Sequence, residues 1–276
     1  MNNLASSLPS QGFGGLLKTW RTTRKLSQLD LSLNSNVSQR HLSFLESGRS
    51  RPSQAMVMQL SEALDVPLRE RNTLLQAAGF APFFRQRNLD DASMRPVYEA
   101  LSRTLKHHHP FPAVVVDRAF NVVMENDGFK TLVGLFGDPD SLWAACCPSG
   151  VRNLFRLTFH AEGARPLIRN FDEIAPLMLQ RAWRDTFAGD ADLHSFIDEL
   201  RHDPSLPAHW LVPDPSAVPA PVLPLVLGRD KAEIKLFSMI STFGTPQDVT
   251  TDEIRMETFF PADDATEQLL RSLDET

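Results

Sequence analysis

The most constraining feature of this sequence is the stretch LSQLDLSLNSNVSQRHLSFLESGRSRPS, which predicts two short helices joined by a polar turn. Ser27 is a favourable N-cap residue, and Asp30 stands three residues later as a variant of the capping box. Leu26 and Leu31 occupy the two positions of a hydrophobic staple. Together these signals predict that the first of the two helices begins directly after Ser27.

The same start signal is repeated after the turn. The turn itself, Asn34-Ser35-Asn36, consists of residues that bond locally or adopt left-handed backbone, and Ser38 follows it as a second N-cap. Gly48 is the predicted C-cap glycine of the second helix. At about 100° per residue, Leu42 and Leu45 point to one side of this helix. The opposite side carries Gln39, Arg40, Ser43 and Phe44.

This opposite side has the chemistry of a helix that lies in the major groove of DNA. An arginine can fork onto guanine, a glutamine onto adenine, and an aromatic ring can meet a thymine methyl group. Ser38 before the helix, and Arg49 and Arg51 beyond it, are predicted phosphate contacts. An ordinary helical hairpin with a solvated polar face is the alternative. The hydrophobic staples of the two helices, formed by Leu26 with Leu31 and by Val37 with Leu42, favour DNA together with the turn length and the flanking arginines.

Residues 13–78 resemble the helix-turn-helix domain of the XRE (Cro/repressor-like) family of bacterial regulators. The resemblance is carried by the stretch quoted above and by the following helix, MVMQLSEALDV. It implies that Gln28 contacts a phosphate and that Gln39, Arg40 and Phe44 contact bases. Phe44 departs from the polar residue that is more usual in that family.

Changes of hydrophobic period divide the chain into parts. Apolar residues recur at helical spacing both before and after the two helices described above. This pattern predicts an all-α five-helix domain over residues 12–79, which follows a flexible arm at residues 1–11. Residues 80–93 are a predicted linker, which contains the apolar run FAPFF. Residues 94–276 form the second predicted domain.

Composition agrees with a globular protein of two domains, since the chain has 276 residues, of which 42% are hydrophobic. Residues 1–78 carry nine Lys and Arg against five Asp and Glu, a net charge of +4. Because the whole chain has a net charge of −6, the remaining residues carry −10. A basic domain on an acidic body suits a protein that presents one end to phosphate. The sequence has no signal-peptide pattern and no apolar run near the about 18 residues that span a bilayer, which predicts a cytoplasmic protein.

The second domain combines strands and helices. The β-branched runs AVVVD and FNVVMEN predict a hairpin, and residues 141–203 are predicted to be helical, with Pro176 kinking or splitting one helix. A proline-rich connection over residues 204–224 precedes three more strands, in PVLPLVL, EIKLFSMISTF and RMETFFP. This order is that of a PAS-like sensor, a five-stranded antiparallel sheet with helices over one face. The predicted fold class of the chain is therefore α+β.

Residues 94–270 resemble the MmyB-like ligand-binding domain that follows an XRE helix-turn-helix in a group of bacterial regulators. The matching pieces are PFPAVVVDRAFNVVMEN, NLFRLTFHAEGARPLIRNF, LFSMISTFGTPQDVT and ETFFPADDAT. The resemblance implies a PAS-like pocket for apolar ligands such as fatty acids. Arg156, one helical turn before His160, is suited to a ligand carboxylate, and a surface pair near a helix end is the alternative. The predicted ligand-binding residues are Trp143, Phe155, Arg156, Phe159 and His160.

Motifs for catalysis and for metal binding are not found in the sequence. It contains no Gly-rich phosphate loop, no HExxH and no GxSxG, and no lysine stands in a recognisable Ser-Lys dyad. The adjacent Cys146 and Cys147 suit neither a disulfide framework nor a zinc site. In the run from His107 to His109, consecutive side chains point to different sides of the chain, which does not suit a shared metal ion. We therefore predict no enzyme activity, no metal, and no cofactor other than a bound fatty acid or another small apolar effector.

The sequence as a whole predicts a sequence-specific transcriptional repressor. Its expected partners are double-stranded DNA with an inverted-repeat operator, a second copy of the chain in a homodimer, and a small-molecule effector, but no membrane. One alternative is a DNA-binding scaffold whose second domain recruits a protein without a small-molecule ligand, and a second is an enzyme with a DNA-binding appendage. A copurified hydrophobic ligand between sheet and helices would favour the sensor, and a filled core with a large exposed apolar patch would favour the scaffold.

Overall fold

The structure is a computed structural model, and the residues that it describes are 12–185, 191–212, 223–229 and 232–274. The predicted arm at residues 1–11 and residues 213–222 of the proline-rich connection lie outside them. Contacts divide the chain into two compact units, Met1–Arg87 with Thr245–Asp252, and Asn88–Gly244 with Glu253–Thr276. Among the described residues, no helix combines the length and apolar character needed to cross a membrane.

The first unit contains the five helices predicted from the sequence. They are α1 (Phe13–Thr23), α2 (Gln28–Ser35), α3 (Gln39–Glu46), α4 (Gln54–Ala63) and α5 (Leu68–Ala77). Their apolar stripes meet in one core, so that each short helix is stabilised by burial against the others. The most deeply buried leucines of this core are Leu17, Leu31, Leu42, Leu45, Leu60, Leu64, Leu74 and Leu75.

The helix starts are confirmed as predicted. The Ser27 hydroxyl accepts a hydrogen bond from the Asp30 backbone N–H at 3.1 Å, and the Asp30 carboxylate accepts one from the Ser27 N–H at 2.8 Å, which completes the capping box. Ser38 caps α3 by accepting from the His41 N–H at 3.3 Å. Gly48 follows α3 with φ of 71°, a left-handed conformation that glycine adopts without strain.

Close packing of α1 on the end of α3 depends on Gly14. A Cβ atom at this position would lie 2.3 Å from the carbonyl oxygen of Leu45 and 2.7 Å from that of Glu46. Such distances are far inside van der Waals contact, so a larger residue would force the two helices apart. Gly14 therefore allows α1 to pack directly against the C-terminal end of α3.

The second unit contains a five-stranded antiparallel sheet, as predicted. Its strands are β1 (Ala113–Val116), β2 (Val122–Glu125), β3 (Leu223–Arg229), β4 (Ala232–Ser241) and β5 (Arg255–Pro261). Their spatial order is β2-β1-β5-β4-β3, so the N-terminal hairpin pairs with the last strand in the middle of the sheet. The predicted α+β class is confirmed.

Helices of the second unit surround this sheet. They are α6 (Arg95–His108), α7 (Asp127–Gly134), α8 (Pro139–Cys146), α9 (Leu154–Phe159), α10 (Phe171–Asp185), α11 (Ala191–Arg201) and α13 (Asp264–Asp274). Pro176 lies inside α10 without splitting it. A proline removes a single intrahelical hydrogen bond, and the turns on both sides of it can remain helical.

Strand residues alternate between the two faces of the sheet. On one face Val114 and Phe259 join a large core that includes side chains of α7 to α11. On the other face Val115 and Met256 pack with Leu101 of α6. Helices therefore cover both faces, whereas the sequence predicted helices over one face.

The connection between β4 and β5 packs with the first unit, although the predicted boundary assigned it to the second domain. It contains the short helix α12 (Val249–Glu253). The Val249 N–H donates to the Arg85 carbonyl at 2.8 Å, and the Thr250 hydroxyl donates to the Arg87 carbonyl at 2.6 Å. Asp252 accepts from the Leu68 N–H at 2.8 Å, at the start of α5. This segment is thus tied by hydrogen bonds to α5 and to the chain that leaves the first unit.

Candidate DNA interface and ligand cavity

The α3 helix presents its polar side to solvent, as the periodicity predicts. Gln39, Arg40 and Ser43 are exposed, whereas Leu42 and Leu45 are completely buried. The exposed side chains include donors and acceptors with the reach that base edges require. Because they are already exposed, the described residues of the first unit would not have to rearrange to present them to a duplex.

Phe44 is half-buried and has a different position from its exposed neighbours. Its ring lies beneath the guanidinium of Arg40, with 5.5 Å between the Arg40 Cζ and the ring centroid. A cation held over an aromatic face loses some of its freedom to move, because the ring attracts it. Phe44 therefore supports Arg40 at the surface of α3.

The predicted phosphate contacts lie around the same helix. Arg49 and Arg51 are exposed just beyond its C-terminus, and Ser38 is exposed at its N-terminus. The Ser38 oxygen accepts the capping hydrogen bond from His41, which leaves the hydroxyl proton available to an acceptor. Gln28, the first residue of α2, is half-buried.

A buried ion pair holds Gln28 and α3 in place. Arg21 of α1 donates to the two carboxylate oxygens of Glu46 at 2.6 and 3.0 Å, and the Gln28 amide donates to Glu46 at 2.8 Å. The Arg21 and Glu46 side chains are only 11% and 5% exposed. Burial opposes ionisation of Glu46, but the hydrogen bonds from Arg21 and Gln28, with the charges of Arg21 and Lys18, hold its pKa below the usual value.

This ion pair has a consequence for DNA binding. An unpaired carboxylate at the end of α3 would repel phosphate, and the pairing with Arg21 compensates the charge of Glu46. Sequence analysis missed the pair, because the two residues are 25 positions apart and belong to residue types that are common on surfaces. No local spacing rule connects a residue of α1 with the last residue of α3.

The second unit contains a cavity of about 70 Å³ between the sheet and the helices α7, α9 and α10. Its wall is apolar apart from three described side chains, Thr158, Ser238 and Glu257. The apolar wall residues are Phe129, Leu132, Val133, Phe136, Leu154, Leu157, Ala164, Ile168, Ile174, Met178, Leu225, Leu227 and Phe259. A cavity of this composition fits an apolar molecule with one polar end.

The five predicted ligand residues are not among the described residues of this wall. Phe155 and Phe159 stack on each other at 4.8 Å and are 1% exposed, so they fill the core beside the cavity. Trp143 is also buried. Arg156 makes two hydrogen bonds of 2.8 Å with Glu199.

His160, the last of these five residues, ends α9 instead of facing the cavity. Its Nδ1 accepts a hydrogen bond from the Glu162 N–H at 3.2 Å. The sequence analysis did not predict Glu257 as a residue of the cavity wall, although the strand RMETFFP contains the pattern that would have indicated it. Alternation along β5 directs Glu257 to the same face as Phe259, which is a core residue.

The remaining conspicuous residues take up structural positions. The His108 Nε2 lies 2.9 Å from the Phe259 carbonyl oxygen, and the His109 Nε2 lies 2.5 Å from the Asp274 carboxylate. No group of metal-ligating side chains occurs among the described residues. Cys146 and Cys147 are buried free thiols, and burial raises the pKa of Cys146 to about 11.

Two family models match the chain. The model described as the MmyB-like transcription regulator ligand binding domain matches residues 97–273, and a helix-turn-helix model matches residues 17–71. The chain belongs to the MmyB-like transcription regulator family. The MmyB-like model covers the sheet, the cavity and the helices around them. The helix-turn-helix model covers α2 and α3 with their exposed polar face.

Comparison with other proteins adds little to this assignment. No curated protein matches the chain. A solved structure described as an RNA-binding Light-Oxygen-Voltage receptor is 12% identical over 97% of this chain, with a TM-score of 0.25. The MmyB-like chain spans 64% of the length of that receptor. The family assignment therefore depends on the two family models and not on this solved structure.

Proposed function

We propose that this MmyB-like protein is a sequence-specific repressor that binds its operator through α3 and responds to a small apolar effector. The proposal depends on one observation: Gln39, Arg40 and Ser43 are exposed on one face of α3, and the opposite face of this helix is buried. The apolar cavity of the second unit supports the effector. A fatty acid is one candidate class, in line with the resemblance of the domain.

A homodimer on an inverted repeat is part of this proposal. One α3 helix reaches only a few base edges, and contacts of that size discriminate weakly among the sites of a genome. Two copies related by a two-fold axis would read two half-sites whose centres lie about one helical turn apart. The phosphate contacts from Ser38, Arg49 and Arg51 would fix the register of each copy.

The chain itself offers a route for the effector response. Ser238 of β4 and Glu257 of β5 both line the cavity, and residues 245–252 lie between these strands in the sequence. That segment is hydrogen-bonded to the first unit through Arg85, Arg87 and Leu68. A ligand that shifts β4 and β5 would act on this segment, and it would change DNA affinity to the extent that it binds the two states differently.

The first experiment selects binding sites from a random pool of duplex DNA with the full chain. We expect an inverted repeat with half-sites about one turn apart, and sedimentation analysis should give a complex of two chains per operator. Transcription from a promoter that overlaps this site should fall when the protein is added. A selected pool without any consensus, or a monomer bound tightly to a single half-site, would contradict the proposal.

The second experiment identifies the effector by mass spectrometry of small molecules released from the purified protein. A released apolar compound should change operator affinity by about 5-fold to 150-fold when it is added back at saturation. If compounds bind to the cavity and operator affinity stays constant, the alternative of a DNA-binding scaffold is favoured instead.

Replacing Asp248 with alanine should uncouple the effector from DNA. Asp248 is buried, accepts hydrogen bonds from the N–H groups of Arg87 and Thr250 at 3.4 and 2.9 Å, and lies 3.5 Å from the Arg87 guanidinium. Loss of the contacts with Arg87 should weaken the attachment of the segment to the rest of the first unit. We expect effector binding to be unchanged by calorimetry, and the effector-induced change in operator affinity to shrink by about 1 kcal/mol.

A matched control for this variant is Glu267→Ala. Glu267 is also acidic and ion-paired, but it is more exposed and pairs with Arg271 within α13. It should leave the response intact. If Asp248→Ala responds to the effector as fully as the unchanged protein and Glu267→Ala do, the segment does not transmit the response.

A further inference from the structure

A second cavity lies on the opposite face of the sheet, between α6 and the ends of β4 and β5. This space, the α6 cavity, has a volume of about 130 Å³. Leu101, Ile254 and Met256 in its wall belong to the core on the α6 side of the sheet, which is separate from the core around the first cavity. The two cavities are therefore different sites in the same unit. The described wall residues of the α6 cavity are Ala100, Leu101, Thr104, Ser241, Thr242, Phe243, Ile254 and Met256.

The α6 cavity has a buried floor and an exposed rim. Leu101, Ile254 and Met256 of the floor are only 5%, 2% and 5% exposed. At the rim, Thr104 and Ser241 are exposed. Ser241 is the direct partner of Met256 in the pairing of β4 with β5, so rim and floor are adjacent there. A small molecule can therefore reach the apolar floor without displacing a helix or a strand.

The volume of the α6 cavity suits a single ring. An engineered cavity of about 150 Å³ binds benzene, and the α6 cavity, at about 130 Å³, is close to it, whereas the first cavity has about 70 Å³. The space arises because Ala100 and Thr104, which are four residues apart and so share one side of α6, are both small. A long side chain at either position would occupy the gap beside β4.

The chemistry of this wall favours a neutral ligand. None of its described residues is charged, and its polar side chains are the hydroxyls of Thr104, Ser241 and Thr242. A charged ligand would lose hydration against such a wall without gaining an oppositely charged partner. The Thr104 hydroxyl donates to the Ala100 carbonyl at 2.9 Å, so its oxygen can accept a hydrogen bond from a ligand. A neutral molecule with a hydroxyl donor matches these groups.

We infer that the α6 cavity is a second ligand site and that it binds a neutral molecule of one ring with a hydroxyl group, the chemistry of a phenol. The ring packs on Leu101, Ile254 and Met256, and the hydroxyl bonds to the oxygens at the rim. The ring contributes affinity through burial of apolar surface, and the hydroxyl contributes orientation. This inference does not depend on the effector role proposed for the first cavity.

The place of the α6 cavity in the chain gives ligand binding a structural consequence. Phe243 precedes residues 245–252 and Ile254 follows them, and both line the cavity. A ring bound against Phe243 and Ile254 therefore contacts both ends of the chain from which that segment leaves the sheet. Local opening of these ends would expose the bound ring, so binding should oppose it. We expect amide hydrogen exchange at residues 241–243 and 254–256 to slow when phenol is bound.

The test is calorimetric titration of the full chain with phenol, toluene and benzoate. Phenol and toluene are equal in size and differ in the hydroxyl group, and benzoate carries a charge. We expect phenol to bind with a dissociation constant of about 1 mM or below, toluene to bind about fivefold more weakly, and benzoate to bind more weakly than toluene. Toluene or benzoate as the tightest ligand, or no saturable binding of phenol, would overturn the inference.

A pair of matched variants locates the binding site. Ala100→Leu fills the α6 cavity from an exposed helical position, where leucine is well tolerated, and it should weaken phenol binding about tenfold or more. Arg103→Leu places the same side chain at an exposed position of α6 outside the described wall, and phenol affinity should not change. Thermal unfolding verifies that both variants are folded. Phenol binding that persists in Ala100→Leu overturns the inference.

A third variant tests recognition of the hydroxyl group. The combined substitutions Thr104→Val, Ser241→Ala and Thr242→Val remove the three rim hydroxyls and keep the apolar floor. Phenol affinity should then fall to that of toluene, and toluene affinity should be retained. If phenol keeps its advantage over toluene in this variant, or if its binding slows hydrogen exchange only at residues away from 241–243 and 254–256, the inference is overturned. These measurements are made without DNA, so their failure leaves the proposed repressor function intact.

Discussion

Arg40→Ala is expected to lower affinity for the selected operator by about 2 to 6 kcal/mol, since a bidentate base contact is worth about 1 to 3 kcal/mol and a dimer makes it twice. Arg40 is exposed on α3 and its guanidinium is held over the ring of Phe44. Affinity for random DNA should fall only by the loss of one positive charge per chain. Titrations on operator and on random duplexes, at the same salt concentration, measure both quantities.

Two controls test the roles assigned around Arg40. Phe44→Leu removes the ring beneath the guanidinium and keeps an apolar side chain, so it should cost about 1 kcal/mol or less per half-site. Gln28→Ala should weaken binding to all sequences alike, as expected of a phosphate contact. If Arg40→Ala and Gln28→Ala reduce operator and random binding by the same factor, Arg40 does not read a base.

The features of α2 and α3 could be predicted because their signals are local. Capping by Ser27 and Ser38, and the left-handed Gly48, each depend on residues within a few positions. The direction of the polar face follows from helical spacing and from the buried Leu42 and Leu45. The succession of strands and helices along the second unit could also be predicted, because turn residues separate the β-branched and apolar runs.

Features that depend on distant parts of the chain were not predictable. The pairing of Arg21 with Glu46 requires knowledge of how α1 crosses the end of α3, which Gly14 allows. Residues 245–252 lie between two strands of one unit yet pack with the other unit, and no change in composition marks them. Hydrogen bonds to Arg85 and Arg87, more than 150 positions earlier, decide their position.

The position of the cavity could not be predicted from the sequence, although the fold that contains it could. Aromatic residues such as Phe155 and Phe159 were predicted to bind ligand, but large side chains fill space and make the core solid beside the cavity. The cavity lies where aliphatic side chains and the rings of Phe129, Phe136 and Phe259 meet across helix and sheet. The position of the cavity depends on how all the side chains around it pack. Hydrophobic periodicity therefore identifies the core residues but does not show where the cavity lies.

Glu46→Ala is expected to destabilise the first unit by about 3 kcal/mol, because it leaves the buried guanidinium of Arg21 without its carboxylate. Arg21 would keep its 2.8 Å hydrogen bond to the Leu26 carbonyl, and Gln28 would lose its partner. Operator binding should fall in proportion to the unfolded fraction of α3. Hydrogen exchange at the amides of α1 and α3, followed by mass spectrometry, measures this local stability.

The pair also predicts a dependence on pH. The pKa of Glu46 is lowered in the folded state, so its contribution to stability is complete above the unfolded pKa of about 4.3 and is lost as pH falls through the lower, folded value. The double variant Arg21→Met with Glu46→Leu removes both charges and should recover most of the stability lost in Glu46→Ala. It should also lack the acid-dependent loss of protection at α1 and α3. If Glu46→Ala is as stable as the unchanged protein, or if the double variant retains the same acid-dependent loss, the buried pair does not anchor the DNA-binding helix.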